Sequence, residues 1–252
     1  MAATVRLTIE RGIAHIELNR PQRLNAINHK LLRDFITALE QVQADRDVAV
    51  IILHGAGRAF CAGDDLKDFG AQAESEEQAR AFIDDLQAIT QLLLNGDQIV
   101  IGAAHGWAVG GGLEWLLGCD LVLLADDTRA FFPEIELGLF VTGGASSLLP
   151  ARVGLHKAKE MLLLAERFDA EALHALGLAN RVVPVEDLLP RAEEIAQRVA
   201  SLPATARRNA KHLLNHAFRA SVDEAMAQES EATVAGLVDP ASRARVRDRL
   251  TR

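Results

Sequence analysis

Tyrosine is absent from this 252-residue chain, and only nine phenylalanines, two tryptophans and two cysteines are present. So thin an aromatic supply argues against a surface that stacks on nucleobases. Charge argues the same way, since 27 Lys and Arg stand against 35 Asp and Glu, a formal net charge of −8. Cys61 and Cys119 cannot build a disulfide framework and form no C-x-x-C pair, so both read as reduced thiols. No stretch reaches the roughly 18 uncharged apolar residues needed to cross a bilayer. The opening residues Met1 to Glu10 lack a basic stretch followed by an apolar one. A cytoplasmic protein with neither membrane nor nucleic-acid partners is expected. What remains is ordinary for a packed fold: 49% hydrophobic and 25% charged residues, over a length that fills a large core.

Val5 to Ile9 and Ile13 to Leu18 alternate with period two around Arg11-Gly12, which predicts a hairpin. From Asn28, a plausible N-cap, Leu31, Leu32, Phe35, Ile36, Leu39 and Val42 recur at helical spacing. Val48 to Leu53 is then a buried strand. The pattern repeats as a helix through Phe82 to Leu93, a strand over Ile99 to Ala104, a short helix from Gly112 to Leu117 and a strand over Leu121 to Ala125. Such alternation predicts parallel strands joined by helical crossovers. After Pro150 only Arg181 to Val183 reads as strand. Helices are expected near 157–164, 170–176, 188–201, 204–218, 220–237 and 241–250. The expected fold is α/β, with a core over residues 1–190 and a helical region over 191–252 that packs on neighbours.

Three glycine-bearing loops sit where strands hand over: Gly55 to Leu66, Gly106 to Glu114, and Thr142 to Ala145. Sites in open α/β sheets gather at such loops. Dinucleotide, P-loop and serine-hydrolase fingerprints are all missing. His212 and His216 have the i, i+4 spacing of a zinc pair but not the intervening glutamate, so no metal is expected. Cys61 reads as a small core residue rather than a nucleophile. The surviving constellation joins backbone donors to two carboxylates. Gly110-Gly111-Gly112 opens the helix that carries Glu114, leaving the Gly111 N–H as an unspent helix-terminal donor on nearly the same face. Glu134 follows Phe131-Phe132-Pro133, where an apolar wall would raise its pKa.

These residues resemble the enoyl-CoA hydratase/isomerase, or crotonase, superfamily. The resemblance runs through Leu18-Asn-Arg-Pro-Gln-Arg-Leu-Asn-Ala-Ile-Asn28, Ala59-Phe-Cys-Ala-Gly-Asp-Asp-Leu66, His105-Gly-Trp-Ala-Val-Gly-Gly-Gly-Leu-Glu114, Phe132-Pro-Glu134, Leu137-Gly-Leu139 and Ala175-Leu-Gly-Leu-Ala-Asn-Arg-Val-Val-Pro184. It implies a crotonase-like spiral of β-β-α turns with a C-terminal helical extension, binding acyl-coenzyme A thioesters. It further implies an oxyanion hole from the backbone N–H groups of Asp64 and Gly111. Glu134 would be the main acid/base group and Glu114 the partner that holds a water, giving syn hydration of a 2-enoyl-CoA. Coenzyme A is then part of the substrate and no separate cofactor is needed. Arg23, Leu24, Ala62, Asp64, Asp65, Leu66, Lys67 and Gly111 would line its path, with Arg23 near the adenosine phosphates. Trimers or pairs of trimers are implied.

Departures from the hydratase pattern keep other readings open. Glu136-Leu-Gly-Leu-Phe-Val-Thr-Gly-Gly144 lacks the proline common in hydratases, while Thr142 stands where some isomerases carry an acid. Double-bond or ring isomerisation is the alternative activity. Glu136 is read as outward and solvated. Arg207 to Arg219 forms a basic stretch that could reach the coenzyme or simply face solvent. Arg243, Arg245, Arg247, Arg249 and Arg252 raise the more remote reading of a non-enzymatic RNA-binding relative.

Overall fold

The computed structural model describes residues 3–67 and 75–251. Strands β1 (Val5–Glu10) and β2 (Ile13–Leu18) form the hairpin, antiparallel from Val5 opposite Leu18 to Glu10 opposite Ile13. Helix α1 (His29–Ala44) starts where Asn28 accepts the Leu31 N–H at 3.0 Å. There follow β3 (Val50–Gly55), α2 (Glu76–Asn95), β4 (Ile99–Ala104), β5 (Trp107–Val109), α3 (Gly111–Leu117), β6 (Leu121–Ala125) and β7 (Arg129–Phe131). Next come α4 (Glu134–Leu137), α5 (Ala145–Val153), α6 (Leu155–Leu164), β8 (Phe168–Asp169), α7 (Ala170–Ala175), β9 (Arg181–Val183), α8 (Leu188–Ala200), α9 (Ala204–Val238) and α10 (Pro240–Thr251).

A six-stranded sheet has the order β1-β2-β3-β4-β6-β9, parallel from β2 onward, and β5, β7 and β8 make a second, three-stranded sheet. Strands β4 and β6 each turn sharply into a short strand of the second sheet, β5 and β7, before the next helix, which is the β-β-α turn of a spiral. The β-branched strands β3 and β4 are buried on both faces. One face carries Phe35 of α1 edge-on to Trp115 of α3, with ring centroids 5.1 Å apart. The other is covered by Leu188, Ala192 and Ala196 of α8. The boundary expected at residue 190 falls inside this helix.

Three expectations shift. The strand expected over Val48 to Leu53 pairs from Val50 and runs on to Gly55, because His54 and Gly55 pair with Glu17 and Leu18. The helices expected at 204–218 and 220–237 are one α9 of 35 residues, since neither glycine nor proline interrupts the join. Lys211, within the basic stretch expected to reach the coenzyme or face solvent, is buried. Its Nζ donates to Leu93 O (2.7 Å) and Gln98 O (2.8 Å) and pairs with Asp120 Oδ2 at 2.9 Å, tying α9 to the end of α2 and the start of β4. Among the described residues no helix is long and apolar enough to cross a membrane.

Candidate active site

The segment from Phe60 to Asp65 lies between two others. On one side Cys61 N–H donates to Trp107 O and Val109 N–H to Cys61 O, both at 2.9 Å. On the other, Ala62 N–H donates to Leu24 O (3.0 Å), Ile27 N–H to Gly63 O (2.8 Å) and Asp65 N–H to Ile27 O (2.8 Å). In this parallel pairing of Ile27 with Asp64 the bonds come from the neighbours of Asp64, so the Asp64 N–H itself points away from Ile27. Gly63 permits the turn with φ +80°, and a Cβ there would stand 3.0 Å from Val109 O. Gly111 is the first residue of α3, whose opening amides have no intrahelical acceptor. Among the described residues neither amide meets an acceptor in the protein, and Asp64 and Gly111 line one cavity.

Glu114 and Glu134 line that cavity too. Glu114 is buried, and residues 142–143 surround its carboxylate with donors. Thr142 N–H lies 3.1 Å and Thr142 Oγ1 also 3.1 Å from Oε2, which further accepts the Gly143 N–H. Glu134 opens α4 directly under Gly110. Gly110 has φ +51°, and a Cβ there would run into the Glu134 carboxylate. Glu134 Oε2 is buried without any hydrogen-bond partner. Burial pushes the Glu114 carboxyl up to about 8, with the charge of Glu229 adding to the rise and the Gly143 and Thr142 amides opposing it. Burial, then the charge of Glu114, drives Glu134 well above the usual carboxylate range. Asp64 is raised to about 6 by burial and by Asp65. Two carboxyls so close titrate as a pair. The donors around Glu114 favour the charge there, and the unpartnered Glu134 keeps the proton longer.

The shared cavity has a volume of about 20 Å³, room for about one water molecule. A larger cavity of about 280 Å³ adjoins it through Asp64 and Glu134, and is walled by Leu24, Ala62, Leu66, Trp107 and Phe131. Of the residues expected on the coenzyme path, Leu24, Ala62 and Leu66 line this cavity. Asp65 does not. Its carboxylate is turned onto Arg20 at 2.9 Å, with both side chains nearly buried, so it braces the 20–27 turn instead of facing the cavity. Arg23 is exposed and Lys67 is exposed, and neither lines either cavity.

Sequence reasoning missed Arg167. Its guanidinium lies 5.5 Å from the Trp107 ring centroid and 5.3 Å from that of Phe131, at the wall of the larger cavity. Arg249 of α10 lines the same cavity and pairs with Glu136 at 3.6 Å. Glu136 is exposed, in the outward position read for it. Within the basic stretch 207–219, Arg208 and His212 face Asp97, and none of its residues lines either cavity. Cys61 is buried against Gly112 with its thiol pushed up to about 12, an inert core residue. Arg252 lies outside the described residues.

The profile of the enoyl-CoA hydratase/isomerase family matches residues 8–243. A crotonyl-CoA hydratase of Syntrophomonas wolfei is 34% identical over 224 residues, 88% of this chain and 85% of that protein. A short-chain-enoyl-CoA hydratase of Clostridium acetobutylicum is 31% identical over 224 residues, with the same coverage of 88% and 85%. Among solved structures, an enoyl-CoA hydratase/isomerase from Mycobacterium paratuberculosis superposes with a TM-score of 0.93 at 26% identity, covering 98% of this chain and 99% of that one. Another, from Xanthobacter autotrophicus, gives 0.91 at 28% identity, covering 100% and 94%. By profile, identity and fold together, the chain belongs to the enoyl-CoA hydratase/isomerase family of enzymes.

Proposed function

We propose that this protein is an enoyl-CoA hydratase that adds water syn across a 2-enoyl-CoA double bond. The observation that carries the reading is the water-sized cavity shared by Glu114, Glu134 and two amides without acceptors. The thioester carbonyl oxygen takes the N–H groups of Asp64 and Gly111. The Glu114 carboxylate removes a proton from the water as its oxygen bonds to C3. Electrons of the double bond move onto the thioester oxygen as an enolate, which the two amides stabilise. Glu134, as the carboxylic acid, delivers its proton to C2. Solvent returns a proton from Glu114 to Glu134 after product leaves. Coenzyme A enters through the larger cavity as part of the substrate, and the reaction needs no other cofactor.

Arg167 and Arg249 stand on that path and supply cations that an acidic protein otherwise lacks there. The apolar side chains of Leu213, Leu214 and Phe218, exposed on α9, support a trimer or a pair of trimers. A cytoplasmic location accords with the reduced cysteines. Thr142 donates to Glu114 and supplies no acid of its own, which favours hydration over isomerisation.

The test is to mix purified protein with crotonyl-CoA and follow the loss of conjugated enoyl-thioester absorbance. Steady loss is expected, and kcat/KM should climb with pH toward about 8 as Glu114 gives up its proton, then fall as Glu134 does. No loss with short, long or aromatic 2-enoyl-CoAs would overturn the reading, and conversion of a 3-enoyl-CoA alone would replace it with isomerisation.

A further inference from the structure

Glu229 lies on α9, far along the chain from the two glutamates above, and only 1% of it is exposed. A carboxylate so deep needs donors. It has two amides: Gly144 N–H reaches Oε2 at 2.8 Å and Ser146 N–H reaches Oε1 at 2.7 Å. The residues just before them, Thr142 and Gly143, turn their own N–H groups onto Glu114. One short segment thus divides four amide donors between two carboxylates, two to each. It does so at the start of α5, where the helix end adds positive potential. The same segment is stitched elsewhere. Gln87 of α2 donates from Nε2 to Thr142 O (3.1 Å) and to Met226 O (2.7 Å), and Thr233 Oγ1 donates to Phe140 O (3.0 Å).

We infer that Glu229 is a positioning residue for Glu114. By gripping Gly144 and Ser146 it fixes the 142–144 turn, whose Thr142 and Gly143 amides orient the Glu114 carboxylate, and it sets a negative charge behind that carboxylate. The inference rests on the water-activating role given to Glu114 above. Glu114 is faced by Glu229 from α9, by Glu134 from α4 and by Asp64 from the segment beside β5. Of these, only Glu229 lines neither cavity, so its charge can be removed without touching the space where substrate would lie.

Glu229→Gln keeps the shape, removes the charge and turns an amide group toward a backbone N–H. Expected for crotonyl-CoA is a kcat lowered roughly ten- to a hundredfold with KM changed less than about threefold. The acid limb of kcat/KM should move to lower pH, because Glu114 loses the neighbouring charge that discouraged its ionisation. Ser146→Ala removes a hydroxyl that favours the charged Glu229 carboxylate, and should move kcat in the same direction by less. A folded Glu229→Gln with parental kcat and an unmoved acid limb overturns the inference. Should that variant not fold, a parental kcat in Ser146→Ala overturns it. A readout independent of turnover is a carbon-detected NMR titration of the glutamate carboxyls, with Glu114 assigned through Glu114→Gln. A lower Glu114 midpoint in Glu229→Gln supports the inference even if the natural reaction is not hydration, and an unchanged midpoint contradicts it.

Discussion

Glu134→Gln is expected to lower kcat for crotonyl-CoA by roughly 10²–10⁴ while KM stays within about threefold. The amide fills the same space under Gly110 but holds no proton that C2 can take, so binding survives and the chemical step does not. Stability should move the other way. Glu134 is raised far above its unfolded value by burial. Its contribution is therefore most favourable at low pH, where both states are protonated, and declines as pH rises and the unfolded chain ionises alone. Glutamine has no such penalty. The variant should melt above the parent at pH 8, and the gap should close toward pH 5. Thermal scans at the two pH values check the sign, and a variant with parental kcat would remove Glu134 from its role.

Lys211→Met should cost about 3–5 kcal/mol, because it removes the buried partner of an ion pair and leaves the largely buried Asp120 behind. The ammonium spends all three donors, on Leu93 O, Gln98 O and Asp120. Methionine restores the length and apolar stem but none of the donors, so two carbonyls lose this donor and the Asp120 carboxylate keeps, among the described residues, only the Val100 N–H at 2.8 Å. For a chain of this size that corresponds to a drop on the order of 10 °C in Tm. Calorimetry of the variant checks the magnitude. Adding Asp120→Asn to the variant should recover part of the loss, since the abandoned charge goes with it, and a parental Tm in Lys211→Met would show the pair to be idle.

Where the chain carries its pattern over five or more residues, the structure could be read from spacing. The apolar runs through β3, β4 and β6 and the Asn28 cap of α1 are such cases. Trp107–Val109 and Arg129–Phe131 are three residues each, too short for any period to declare itself, yet they build the second sheet that aims Gly110 and Glu134. The continuity of α9 was hidden because an amphipathic stripe fades where the helix leaves the core, not because its backbone breaks. Glu114, Glu134, Asp64 and Gly111 could be gathered from local sequence, since a helix start and a turn after an apolar pair are local facts. The partners of charged side chains are not. Lys211 and Glu229 look like solvated helix residues until α2 and α5 are laid against them. Asp65 looks like a ligand until Arg20, 45 residues earlier, takes its carboxylate. Arg167 belongs to no motif at all, and only the stacking of β5 beside β7 brings Trp107 and Phe131 beneath it.

The central claim is that two amides and two carboxyls act on one enoyl thioester, and the source of the new hydrogen at C2 tests it most directly. Crotonyl-CoA turned over in deuterated water should give 3-hydroxybutyryl-CoA with one deuterium at C2 on the same face as the C3 hydroxyl, readable from proton NMR couplings of the product. Deuterium entering at C4, or on the face opposite the hydroxyl, would contradict the arrangement of Glu114 and Glu134 about a single water.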